Sequence, residues 1–134
     1  MIRSRGSRTR RILVKREVVE ALLVAARNVH PKEVLLLLRG RKLKDGALLL
    51  EEIIVPPLAI YGYSFSGFNP YLLPLDLSIL GVAHSHPSGN PRPSVQDLNV
   101  GRGRVMVIIA SPYASDKDVH VYLPSGEEVG YEVC

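Results

Sequence analysis

Between Arg16 and Val29 the apolar residues Val18, Val19, Leu22, Leu23, Ala26 and Val29 recur at helical spacing, with Arg16, Glu17, Glu20 and Arg27 largely on the other side. This predicts an amphipathic helix that stops before Pro31, whose ring disfavours helical geometry at His30. Residues 33–40 (EVLLLLRG) are a short apolar run between breakers, the pattern of a strand covered on both faces. Asp45-Gly46 is a turn signal. Residues 47–55 follow it as far as Pro56-Pro57, so 33–55 reads as a β-hairpin.

Residues 56–75 look irregular, with Pro56, Pro57, Gly62, Gly67, Pro70 and Pro74. The segment also holds Tyr61, Tyr63, Phe65, Phe68 and Tyr71, five of the eight aromatics, as expected of a loop packed down or used for binding. Residues 77–84 predict a second buried strand, and 85–93 are rich in turn formers. Ser94 opens a short helical stretch, and 104–110 (RVMVIIA) predict a third buried strand. Residues 118–123 alternate, with Val119, Val121 and Leu123 on one face and His120 and Tyr122 on the other. A turn at Ser125-Gly126 leads to a last strand over 128–133. The order of elements predicts one α/β domain, without internal repeats.

Composition sharpens this reading at four points. A chain of 134 residues has room for one core, and 46% apolar residues supply it easily. No apolar run approaches the roughly 20 residues that span a bilayer, and no secretory signal is read at the amino terminus, so the expectation is a cytoplasmic protein without membrane contact. Cys134, the only cysteine, cannot form an internal disulfide, which sets thiol chemistry aside. The net charge of +4 is unevenly spread: seven of the 17 basic residues and none of the 13 acidic ones fall in residues 1–16. We therefore read 1–16 as a basic, flexible arm that could touch nucleic acid or an acidic partner, and 17–134 as the mildly acidic domain behind it.

The chemistry concentrates in residues 84–97 (HSHPSGNPRPSVQD). Two histidines at i and i+2 on an extended strand project from one face, so His84 and His86 can converge on one ion. A ten-residue excursion full of turn formers then brings back Asp97. Two nitrogens and one carboxylate leave a fourth tetrahedral position for water, the composition of a catalytic zinc site rather than a closed structural one. Ser94-x-x-Asp97 also matches a helix N-cap with an acid at its third position, which is compatible with Asp97 facing the metal. A hydrolytic site needs a general base as well. The residue pattern alone leaves Glu33, Glu51, Glu52 and Asp76 open, with Glu33 favoured for its place at the start of a buried strand. The zincin HExxH motif is absent, and one cysteine cannot supply the Cys-x-x-Cys pair of a zinc deaminase. His30 and His120 read as ordinary histidines.

His84-Ser-His86-Pro, six residues, then Ser94-x-x-Asp97 resembles the signature of the JAMM/MPN+ metalloproteases, the family of deubiquitinating subunits in the proteasome lid and the signalosome. Upstream, His30-Pro-Lys-Glu33-Val resembles the family segment that carries its catalytic glutamate, and residues 80–84 and 104–112 resemble its strands. The match covers about residues 17–133 and is most similar to the compact archaeal members. It implies a single-domain curved mixed β-sheet flanked by helices, of the cytidine-deaminase-like type. It further implies Zn2+ on His84, His86 and Asp97, Glu33 as catalytic base, and Ser94 as donor to the oxyanion. The implied activity is hydrolysis of peptide or isopeptide bonds at a ubiquitin-like protein modifier or its conjugates. Segments where ubiquitin-specific members carry long insertions are short here, and the helix after Asp97 is curtailed by Asn99-Val-Gly-Arg-Gly. Rival readings are a non-catalytic scaffold of the same fold and a nucleic-acid-associated member acting through the Arg-rich arm.

Overall fold

The computed structural model describes residues 11–56, 77–94 and 103–134, together with the backbone of 60–61. Helix α1 spans Arg16–Val29 as its periodicity predicts, and it buries Val18, Val19, Leu22, Leu23 and Ala26. Glu17 in its first turn complements the helix dipole. The last amide, His30 N–H, reaches Ala26 O at 3.2 Å before Pro31 turns the chain away.

Nine strands make up the sheet among the described residues: β1 (Ile12–Val14), β2 (Glu33–Lys42), β3 (Leu48–Ile54), β4 (Ile60–Tyr61), β5 (Ile79–His86), β6 (Val105–Ala110), β7 (Val119–Tyr122), β8 (Glu128–Val129) and β9 (Glu132–Val133). Their order is β8-β7-β6-β5-β2-β3-β1-β9, with β4 beside the start of β2. Pairing is parallel for β5/β6, β1/β3 and β1/β9, and antiparallel elsewhere. The sheet is therefore mixed, and the expected hairpin is β2–β3.

The long apolar runs follow from burial on both faces. Val34, Leu36 and Leu38 of β2, with Val105, Val107 and Ile109 of β6, pack with α1. Leu37, Val82, Met106, Ile108 and Tyr122 form a smaller cluster on the opposite face. Close approach within the sheet depends on Gly81, where a Cβ would stand 1.9 Å from the Val105 carbonyl oxygen.

Strands β8 and β9 lie at opposite ends of the strand order, yet only Gly130 and Tyr131 separate them. Three residue steps reach about 11 Å at most, so the sheet must curl until its two edges nearly meet. Helix α1 fills the inside of the curl, in one cluster with residues of β1, β2, β3, β5, β6 and β7.

Two expectations are corrected. Residues 12–14, assigned to the basic arm, form β1 and are buried at Ile12 and Val14, because a three-residue apolar segment finds pairing on both sides, with β3 and β9. Arg11 joins them, with Nε 3.1 Å from Glu132 and Nη1 3.1 Å from Asp45. Residues 1–10 lie outside the described residues. The last strand, expected as one piece over 128–133, is two short strands serving opposite edges. The expected helical stretch after Ser94 also lies outside the described residues. None of the described helices is long and apolar enough to cross a membrane.

Candidate metal centre

Strand β5 extends to His86, two residues beyond the predicted end, and so carries both histidines in regular extended geometry. Alternation sends Ser85 to the face of α1, where its Oγ accepts the Val34 amide at 3.0 Å. His84 and His86 share the other face, their ring centroids 5.2 Å apart and tilted by 40°. His84 is wholly buried, with Nε2 3.4 Å from the Met106 sulfur. His86 is half-buried and stands at the edge of the same patch.

Strand β2 brings Glu33 to this place. The antiparallel ladder pairs Leu35 with His84, and the Val34–Ser85 bond continues that register. By strand alternation Glu33, two residues before Leu35, lies on the same face of β2 as Leu35, the residue paired with His84. Glu33 is half-buried at the first position of β2. Its carboxylate is close enough to Tyr113 to help hold that phenol's pKa above its ordinary value, an effect due first to burial of Tyr113 and second to Glu33. Tyr113 is itself fixed by Arg27, whose Nη1 donates to its carbonyl at 2.5 Å, and by His30, whose Nδ1 lies 2.8 Å from its hydroxyl. His30, read as ordinary, thus braces the approach to Glu33.

The turn after His86 is tied down by short bonds. His86 O accepts the amides of Gly89 and Ser111, each at 3.1 Å. Asn90 receives His86 Nδ1 on its carbonyl at 2.8 Å, and its side-chain Oδ1 accepts the Arg92 amide at 3.0 Å. Tyr122 donates its hydroxyl to Pro91 O. Ser94 is exposed at the end of this segment.

Of the five expected site residues, Glu33, His84 and His86 are gathered on one face of two neighbouring strands, and Ser94 ends the loop that leaves it. Asp97 lies outside the described residues, as do the aromatics Tyr63, Phe65, Phe68 and Tyr71. Among the described residues no group of three or more His, Cys, Asp or Glu is close enough to hold a metal ion. The donors present nevertheless fit one. A carbonyl oxygen can only accept, so the bond to Asn90 places the proton of His86 on Nδ1 and makes Nε2 the lone-pair nitrogen, the tautomer metal-ligating histidines have. The supporting residues Asn90, Met106, Tyr113 and Tyr122 were not foreseen. For Tyr122 the strand alternation offered a signal, since it put the ring on the face opposite Val121.

Comparison with known proteins shows the family and the fold. The family described as prokaryotic homologs of the JAB domain matches residues 15–123. A Haloferax volcanii protein described as "Probable metalloprotease" is 37% identical over 118 residues, covering 83% of this chain and 72% of the relative. The Thermus thermophilus "Probable TtuB-protein conjugate cleaving protease" is 32% identical over 106 residues, covering 77% and 70%. Among solved structures, a JAB1/MPN domain protein from Archaeoglobus fulgidus superposes with a TM-score of 0.67 at 30% identity, covering 90% of this chain and 96% of that one. A structure presented as "JAMM: A Metalloprotease-like Zinc Site in the Proteasome and Signalosome" gives 0.66 at 28% identity, covering 92% and 98%.

Proposed function

The chain belongs to the prokaryotic JAB family, with the JAB1/MPN fold, and on that premise we propose that it is a zinc-dependent peptidase acting on conjugates or precursors of a ubiquitin-like modifier. The observation that supports the reading is the β2–β5 register, which pairs Leu35 with His84 and so brings the start of β2, where Glu33 stands, toward two histidines that share a strand face. Its membership and its metalloprotease-like relatives support peptidase-type hydrolysis. The conjugate-cleaving relative supports the substrate class.

In this proposal His84, His86 and Asp97 hold the metal. A zinc ion bound there would supply Lewis acidity and acidify a coordinated water toward neutral pH. Glu33 takes a proton from the attacking water as it adds to the scissile carbonyl, and returns it to the leaving amine when the C–N bond breaks. Ser94, exposed on the loop that leaves His86, donates a hydrogen bond to the oxyanion, a contact of the kind worth about 3 kcal/mol. The His86 tautomer set by Asn90 and the buried seat of His84 hold the two imidazoles ready and lower the ordering cost of binding.

The test is cleavage. Zinc-loaded protein is incubated with a linear fusion and with an isopeptide conjugate of a ubiquitin-like modifier, beside Glu33→Ala and a chelator control. Processing that vanishes in both controls supports the proposal, and the preferred linkage separates deconjugation from precursor processing. Processing that survives chelation would overturn it.

A further inference from the structure

Two separate chains of contacts run from the histidines and end on one residue, Tyr122. The first passes through hydrogen bonds. His86 Nδ1 donates to Asn90 O at 2.8 Å, and the next carbonyl along the backbone, Pro91 O, accepts the Tyr122 hydroxyl. The second passes through packing. Tyr122 pairs with Met106 across the β6–β7 ladder, both belong to the smaller core cluster, and the Met106 sulfur lies 3.4 Å from His84 Nε2. Tyr122 is buried at 3% exposure, on β7, two strands away from the histidines.

We infer that Tyr122 is a positioning residue for the metal centre: its hydroxyl anchors the Pro91 carbonyl and thereby holds the Asn90 carbonyl against His86. The inference rests on the proposed metal site. Pro91 and Asn90 are consecutive, so a loop pinned at one carbonyl leaves the other little freedom. Asn90 also closes a local turn, accepting the Arg92 amide on Oδ1 and donating its own amide to Ser88 Oγ at 3.2 Å. The segment 88–92 is therefore tied together internally, and Tyr122 adds an anchor on β7 to the bonds that Gly89 and Asn90 make with His86 on β5. Burial keeps the phenol protonated, its pKa pushed up to about 12, so it stays a donor throughout the physiological range. Outer contacts of this kind orient the ring of a ligating histidine and commonly tune metal affinity by about 10–100-fold.

A buried tyrosine needs a partner for its hydroxyl in any fold, and Pro91 O could serve that need alone. A matched control separates the two roles. Tyr131 also donates its hydroxyl to a backbone carbonyl, Asp116 O, and packs against the cluster around α1 on the other face of the sheet. Tyr122→Phe and Tyr131→Phe therefore delete the same group from the same kind of bond, and only the first is joined to the histidine loop.

Zinc affinity is measured by competition with a chromophoric chelator for the wild type and both variants, with the visible absorption of the cobalt-substituted proteins and the Tm of the metal-free ones. Weakening of zinc binding by roughly 10–100-fold in Tyr122→Phe, with an altered cobalt spectrum, is the expected result. Tyr131→Phe should bind zinc as the wild type does, although both variants melt earlier. Wild-type zinc affinity and an unchanged cobalt spectrum in Tyr122→Phe would overturn the inference and leave the metal site standing. A wild-type chain that binds no zinc would overturn the site itself and this role with it.

Discussion

His86 donates from Nδ1 to the carbonyl oxygen of Asn90 at 2.8 Å, which fixes its tautomer with the lone pair on Nε2. Because His86 is half-buried, its removal should touch binding more than folding. His86→Ala is expected to weaken zinc binding by about 100-fold or more while the metal-free Tm barely moves. His84→Ala should lose zinc as well, and in addition destabilise the metal-free protein by on the order of 2–4 kcal/mol, since the lost ring is wholly buried. Chelator competition and urea unfolding check the pair. Wild-type zinc affinity in His86→Ala would remove it from the ligand set.

Glu33 supplies a different kind of test, because its role is in the proton transfers. Glu33→Gln keeps the size of the side chain and removes the base. The expected outcome is a kcat lower by roughly 100- to 10,000-fold, with KM and zinc affinity close to the wild type. Steady-state kinetics on the preferred modifier substrate, beside zinc titration, decide it. Equal loss of zinc affinity and of activity would make Glu33 a structural support of the site instead.

How far the sequence foretold this arrangement depends on the range of each interaction. The spacing of Val18, Leu22 and Ala26 is a local signal, and α1 has the limits it predicts. The shared face of His84 and His86 is equally local, since two residues of strand restore the same side. By contrast, the approach of β2 to the histidine strand depends on a ladder between segments some fifty residues apart, and no local pattern selects its register. That is why the residues alone left four candidate bases open and a family resemblance was needed to single out Glu33. Ile12–Val14 was hidden for another reason: three apolar residues inside a basic run have too short a period to read, and only the pairing of β1 with β3 and β9 makes them a strand. Residues 128–133 read as one strand, whereas the curl of the sheet makes Gly130 and Tyr131 the link between two edges.

Two glycines show how differently the same residue can be constrained. Gly81 lies in β5 against β6, and Ala there would set its Cβ 1.9 Å from Val105 O, which forces the strand carrying both histidines away from its neighbour. We expect Gly81→Ala to cost about 3 kcal/mol or more, or to abolish soluble expression. Gly130 has open space around its position, so Gly130→Ala should change stability by no more than about 1 kcal/mol, and in the stabilising direction through the unfolded chain. Denaturant midpoints give the comparison. A tolerated Gly81→Ala would contradict the close β5–β6 approach.

The alkaline limb of the stability profile should report the two buried phenols. Tyr122 and Tyr131 both have pKa values pushed up to about 12, first by burial and then by the nearby carboxylates of Glu128 and Asp116 respectively. In the unfolded chain a phenol ionises near its ordinary value of about 10. Between these values the folded protein keeps protons that the unfolded chain has released. The stabilising contribution is therefore fully present below about pH 10 and is lost as pH rises toward 12. Stability of the wild type should fall over that window, with the hydroxyl bonds to Pro91 O and Asp116 O as the groups at stake. A Tyr122→Phe/Tyr131→Phe double variant should be less stable at pH 8 and should show a shallower fall between pH 10 and 12. Urea midpoints at pH 8, 10 and 11 measure both features. Parallel profiles for the two proteins would mean that these phenols do not carry the alkaline transition, and that other groups, Tyr113 among them, must be tested instead.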